Sequence, residues 1–195
     1  MRPLTLDDVL DRDTFAAQRP RLHAEILRTK DLRRVSVGPN LTLLFENHAT
    51  MLWQILEMCR VENISRPEAV QAELDAYNPL LPGDSELSAT LLVEYPDPAE
   101  RTEMLVKLSG LSRHLSLHIA GKPPVQAVFE GGRETEAGKI SSVQFVRFPL
   151  EPLQKAAFYD FTREVRFVVD HPAYQANAAL PSAQRGALID DLRAD

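Results

Sequence analysis

The chain has a single cysteine among its 195 residues, Cys59, so no disulfide can form within it. That suits a reducing compartment. No uninterrupted apolar run approaches the about 20 residues that a membrane helix needs. The opening, Met1-Arg2-Pro3-Leu4-Thr5-Leu6-Asp7-Asp8, turns acidic where a secretion signal would be apolar. A cytoplasmic location without membrane contact is the expectation. Excess positive charge is also lacking: the formal net charge is −6. No global field therefore attracts phosphate backbones, and no nucleic-acid partner is expected.

Several motifs that announce chemistry are missing. There is no Gly-x-Gly-x-x-Gly, no phosphate loop ending in Gly-Lys-Ser/Thr, no Gly-x-Ser-x-Gly and no Cys-x-x-Cys. Those absences count against dinucleotide enzymes, nucleoside-triphosphatases of the P-loop type, common serine hydrolases and iron–sulfur carriers. No cofactor is expected.

What is present is ordinary globular composition, 44% hydrophobic and 26% charged. The length favours one core over residues 1–195 rather than two. Residues 1–32 predict two short helices, one capped by Thr5 and one starting at Pro20, which suits a first helical position. Residues 33–110 predict a hairpin, a buried helix, a further helix, a strand and a helix. The hairpin turns at Gly38-Pro39-Asn40, and Asn47 is positioned to cap the buried helix, which runs to about Val61. Ser65-Arg66-Pro67-Glu68 and Asp97-Pro98-Ala99-Glu100 carry capping signatures for the next two helices. Residues 111–195 read as a strand-rich half closed by a helix from about Ser182 to Leu192. Strands are predicted over 113–120, 124–130, 139–148 and 163–170, with a mobile loop over 130–138 and a short helix near 152–159. Asp170-His171-Pro172 reads as a strand exit and turn. Short turns between successive strands predict an α+β domain with one antiparallel or mixed sheet of about six or seven strands and flanking helices.

The pair His114 and His118 has the spacing of two zinc ligands on a helix. Leu115, Leu117 and Ile119 alternate with polar neighbours, however, which is the rhythm of a strand. Four residues along a strand separate the two imidazoles by about 13 Å, too far for one ion. No metal site is assigned. The same alternation places His114, His118, Gln126, Glu164 and Arg166 on one polar sheet face, either simply solvated or a partner surface.

Glu46-Asn47-His48 lies where a strand hands over to the buried helix, beside free helix N–H groups. Glu46 and His48 are candidates for an acid–base pair or single metal ligands, with a helix cap at Asn47 as the simpler alternative. Glu57, on the apolar helix, must be paired, protonated or used; Arg60 three residues on is the obvious partner. Cys59 sits among Ile55, Leu56 and Met58, where a thiol is inert. Arg19, Arg21, Arg28, Lys30, Arg33 and Arg34 make the N-terminal region locally basic, as solvated surface or as a dock for an acidic partner.

Three stretches resemble the bacterial family of unknown function DUF3501. They are Asn40-Leu41-Thr42-Leu43-Leu44-Phe45-Glu46-Asn47-His48 running on through Met58, then Glu86-Leu87-Ser88-Ala89-Thr90-Leu91, and Arg166-Phe167-Val168-Val169-Asp170-His171-Pro172. The resemblance extends over nearly the whole chain and transfers no catalytic residue. It implies a place beside rubrerythrin-like proteins and iron–sulfur oxidoreductases in bacterial redox or peroxide metabolism. Three expectations stand at this point: a non-catalytic accessory protein, an enzyme or metal-binding protein built around Glu46, His48 and Glu57, and a small-ligand-binding module.

Overall fold

The N-terminal segment forms one long helix where two were expected. In the computed structural model, which describes residues 1–133, 135 and 138–193, a 3-10 turn at Leu6–Asp8 precedes helix α1, Arg12–Asp31. Asp11 caps α1 by accepting from the N–H groups of Asp13 and Thr14. Pro20 lies inside the helix instead of starting one. An interior proline costs about 3 kcal/mol. Phe15 and Ile26 are buried on either side of it and hold both halves on the molecule, so the helix continues through the exposed proline.

The hairpin forms as its turn residues dictate. Strands β1 (Arg34–Ser36) and β2 (Leu41–Phe45) pair antiparallel, with Val35 opposite Leu43. Gly38 has φ +75°, open to glycine at little strain. Helix α2, His48–Val61, follows; Asn47 accepts from the Thr50 N–H and donates its own N–H to Thr50 Oγ1. Helix α3, Pro67–Tyr77, starts after Arg66, which makes no side-chain cap bond, so the signature at Ser65 marks the place but supplies no cap. Strand β3 (Glu86–Val93) and helix α4 (Pro98–Lys107), capped by Asp97, complete the first half.

In the second half β4 is Leu115–Ile119, an extended strand as the alternation required. The strand expected over 124–130 divides at Ala127 into β5 (Val125–Gln126) and β6 (Val128–Phe129), each pairing in a different sheet. Then come β7 (Val143–Pro149), helix α5 (Pro152–Tyr159), β8 (Val165–His171), β9 (Tyr174–Ala179) and helix α6 (Ser182–Arg193). Strand β9 was not expected, because alanine, glutamine and asparagine are weak β-formers. Of the loop expected over 130–138, Glu134, Glu136 and Ala137 lie outside the described residues.

The strands make two antiparallel sheets, not one: β1-β2-β3-β7-β6 and β5-β4-β8-β9. Their facing sides bury Leu43, Phe45, Leu91, Phe148, Leu117 and Phe167 in one cluster. Phe167 stands 5.3 Å from both Phe45 and Phe148, centroid to centroid. Alternation turns Thr90 and Phe145 to the opposite side of the five-stranded sheet. There Phe145 packs against a second cluster, Met51, Ile55, Val70 and Leu74, from α2 and α3. The result is helices on sheet on sheet, an α+β architecture. Among the described residues no helix is long and apolar enough to cross a membrane.

Tyr174 ties the edges of the two sheets together: its hydroxyl donates to the Val37 carbonyl at 2.8 Å and accepts from the Asn40 N–H at 3.0 Å. A Cβ on Gly38 would lie 2.5 Å from that hydroxyl and 2.8 Å from the Ala176 methyl. Gly38→Ala is therefore expected to destabilise the protein by roughly 1–2 kcal/mol from the left-handed backbone alone, and further from the clash. The check is a lower urea midpoint with an unchanged slope.

Candidate functional site

Glu46 extends β2 onto the helix-covered face of the five-stranded sheet. Its carboxylate accepts from Thr50 Oγ1 at 2.6 Å and from Thr90 Oγ1 at 2.7 Å. Burial pushes its pKa above the usual carboxylate value, and the two hydroxyls and the Lys30 charge oppose that only in part. A buried carboxyl poised in this way can hold or release a proton.

The neighbouring residues turn to other tasks. Asn47, besides capping α2, donates Nδ2 to Asp191 Oδ1 at 3.0 Å. Asp191 is gripped from the other side by Arg33, with Nε and Nη2 at 2.8 and 2.9 Å. His48 opens α2 next to the N-terminal segment, where Arg2 and Asp8 are the charges that act on it. Its Nε2 is buried without a hydrogen-bond partner among the described residues. Burial first, and then the Arg2 charge, lower its pKa. No hydrogen bond joins Glu46 to His48 among the described residues.

Glu57 belongs to a third neighbourhood. The expected Arg60 donates Nη2 to Oε2 at 2.8 Å, and Arg19 of α1 adds Nε to Oε1 at 2.6 Å. These cations hold the Glu57 pKa down at about 2. Arg19 also lies 5.8 Å from the centroid of the Trp53 ring, so the ion pair helps to seat α1 on α2.

Beside this pair opens a cavity of about 610 Å³ between the start of α1, the end of α2 and the start of α3. Val9, Phe15, Leu56, Ile64 and Val70 supply apolar lining, and Cys59 and Arg60 also reach it. Its volume is that of a small-molecule site. The Cys59 thiol is half-buried, and burial raises its pKa, so it is held as the thiol. Arg60 is the one candidate from the sequence that lines this space. Glu46, Asn47, His48 and Glu57 do not.

The four-stranded sheet carries the polar face read from alternation. His118 stands opposite Arg166, and Ser116 opposite Gln126. His118 Nε2 pairs with Ser116 Oγ at 3.0 Å, and Arg166 forms an ion pair with Glu164. His114 lies just before β4, with Nδ1 3.1 Å from Asp170 and its ring edge-on to His171 at 4.9 Å. His171 is itself satisfied by the Ser109 carbonyl and the Ala173 N–H. Among the described residues no three His, Cys, Asp or Glu side chains gather in a group able to hold a metal ion.

Sequence reasoning missed Asp191, Thr90 and Arg185. Arg185 is 4% exposed, and its guanidinium donates to the carbonyls of Ala157, Phe158, Asp160 and Arg163, closing the end of α5. No local pattern announces partners so far away in the chain.

The two carboxylates carry opposite pH signatures. Glu46 has a raised native pKa, so the native state holds more protons than the unfolded chain above pH 4.5, and stability falls as pH rises through that window. Glu57 has a lowered one, so stability falls as pH drops from 4.5 toward about 2. Glu46→Gln is expected to gain on the wild type as pH rises above 4.5. Glu57→Gln should trail the wild type at pH 7 by about 1–2 kcal/mol, after solvent screening of its half-exposed arginines, and draw level near pH 2. Urea midpoints across pH measure both differences.

The chain matches the model of the family described as protein of unknown function (DUF3501) over residues 3–192. It is also similar to a solved protein, a novel protein of unknown function from Burkholderia pseudomallei. The two share 36% identity and a TM-score of 0.90, over 98% of this chain and 100% of that one. No curated protein matches. With the family model matching residues 3–192 and the fold shared at that identity, the chain is a member of the DUF3501 family.

Proposed function

We propose that this protein is a non-catalytic accessory protein of the cytoplasm that binds a partner in redox or peroxide metabolism. The partner class is the one the family resemblance implies, a rubrerythrin-like protein or an iron–sulfur oxidoreductase. One observation carries the non-catalytic part: the acid–base candidates are dispersed, each within its own environment. Glu57 is neutralised by two arginines, Asn47 is spent as a cap, and among the described residues Glu46 and His48 share no hydrogen bond. General acid–base catalysis needs such groups within reach of one reacting atom. The enzyme or metal-binding reading around Glu46, His48 and Glu57 has that dispersal against it.

The test is to mix the purified protein with a rubrerythrin-like or iron–sulfur protein from the same bacterium at micromolar concentration. A complex of defined stoichiometry in sedimentation velocity is the expected result. Two species that sediment independently in both mixtures would remove the reading.

A small-ligand-binding module is the second reading, favoured by the cavity between α1, α2 and α3. Its lining contains the only thiol of the chain, which makes occupancy measurable. A ligand present at 100 times its Kd should stabilise the fold by about 2.7 kcal/mol in a thermal-shift screen, and the same ligand should slow the reaction of Cys59 with a thiol reagent. A hit that stabilises without protecting Cys59 would place the ligand elsewhere.

A further inference from the structure

The four sheet edges among the described residues are not alike. β5 and β6 expose two residues each, too short to template another strand. β1 has three residues, begins with a charged Arg34, and has the Arg34 carbonyl taken by Gln184. β9 is six residues long, Tyr174-Gln175-Ala176-Asn177-Ala178-Ala179, with no charge and no proline. Natural edge strands are usually shortened, charged or bulged to prevent pairing with another chain. This one has none of those protections.

The register shows which groups of β9 are free. The Asp170 N–H donates to the His114 carbonyl and the Glu164 carbonyl accepts from Ala120, so even-numbered residues of β8 face β4. Odd-numbered residues of β8 therefore face β9, as the bond from the Leu180 N–H to the Val165 carbonyl shows. They pair with Tyr174, Ala176 and Ala178. The N–H and C=O groups of Gln175, Asn177 and Ala179 point outward, from three exposed residues, and make no hydrogen bond to described residues.

We propose that this edge pairs antiparallel with the same edge of a second copy of the chain, about a twofold axis at Asn177. Asn177 then faces its own counterpart, and Gln175 faces Ala179 of the second copy. Three residue pairs each exchange two backbone hydrogen bonds, and two four-stranded sheets join into one. A second copy suits the edge because nothing on it repels itself. The flanking charges also agree: Asp170 lies beside Gln175 and Arg166 beside Ala179. The axis therefore puts Asp170 of one copy in the same cross-strand row as Arg166 of the other, about 14 Å away across Gln175 and Ala179, so opposite rather than like charges flank the seam.

Sedimentation equilibrium of the full chain at tens of micromolar tests this. The expected result is twice the chain mass. Asn177→Pro removes only an outward N–H and leaves the ladder to β8 intact. Asn177→Lys sets two like charges against each other at the axis. Each is expected to weaken association at least tenfold, with wild-type circular dichroism. A monomeric wild type would overturn the proposal. So would a dimer that survives Asn177→Lys, which also decides the matter should the proline variant fail to fold.

Discussion

The meeting of three phenylalanine rings between the sheets is the contact on which the remaining architecture rests. Phe45 and Phe148 come from the five-stranded sheet and Phe167 from the other. Burying a phenylalanine side chain contributes about 1.5–3 kcal/mol, and tilted or edge-on pairs add about 0.5–1.5 kcal/mol each. Because this contact claims one face of the five-stranded sheet, α2 and α3 must cover the other. Glu46 and Thr90 project onto that second face by alternation. Their burial is thus a consequence of which side the aromatic residues take.

Much of this was readable locally. The alternation at Leu115, Leu117 and Ile119 identified β4 and kept His114 and His118 from being read as a zinc pair. Asn47 and Asp97 cap the helices they were expected to cap. The failures have physical causes. Pro20 marks a helix start in isolation, yet packing at Phe15 and Ile26 outweighs that preference. Ala127 lets one extended segment serve two sheets, a choice made by its neighbours in space. β9 is held by pairing with β8 and by Tyr174, not by the propensity of its own residues.

The candidate residues divide the same way. Glu57 with Arg60 is a pair three residues apart on one helix, and proximity in sequence found it. Its stronger tie to Arg19 spans 38 residues and has no local signal. Glu46 was singled out by its position at the strand end, but its partners Thr50 and Thr90 depend on the ladder between β2 and β3. Sequence identifies groups with chemical capacity; the tertiary arrangement decides whether that capacity is left free. Here it is mostly committed to holding elements together, and the open space lies in an apolar cavity and along a strand edge.

The bidentate clasp between Arg33 and Asp191 joins groups 158 positions apart. During synthesis the guanidinium emerges long before its carboxylate, and at typical translation rates of about 5–20 residues per second the delay is many seconds. Over that interval Asn47 and Arg33 lack the acid that they share in the native structure. The anchoring of the N-terminal hairpin to α6 is therefore among the last native contacts that the order of synthesis allows.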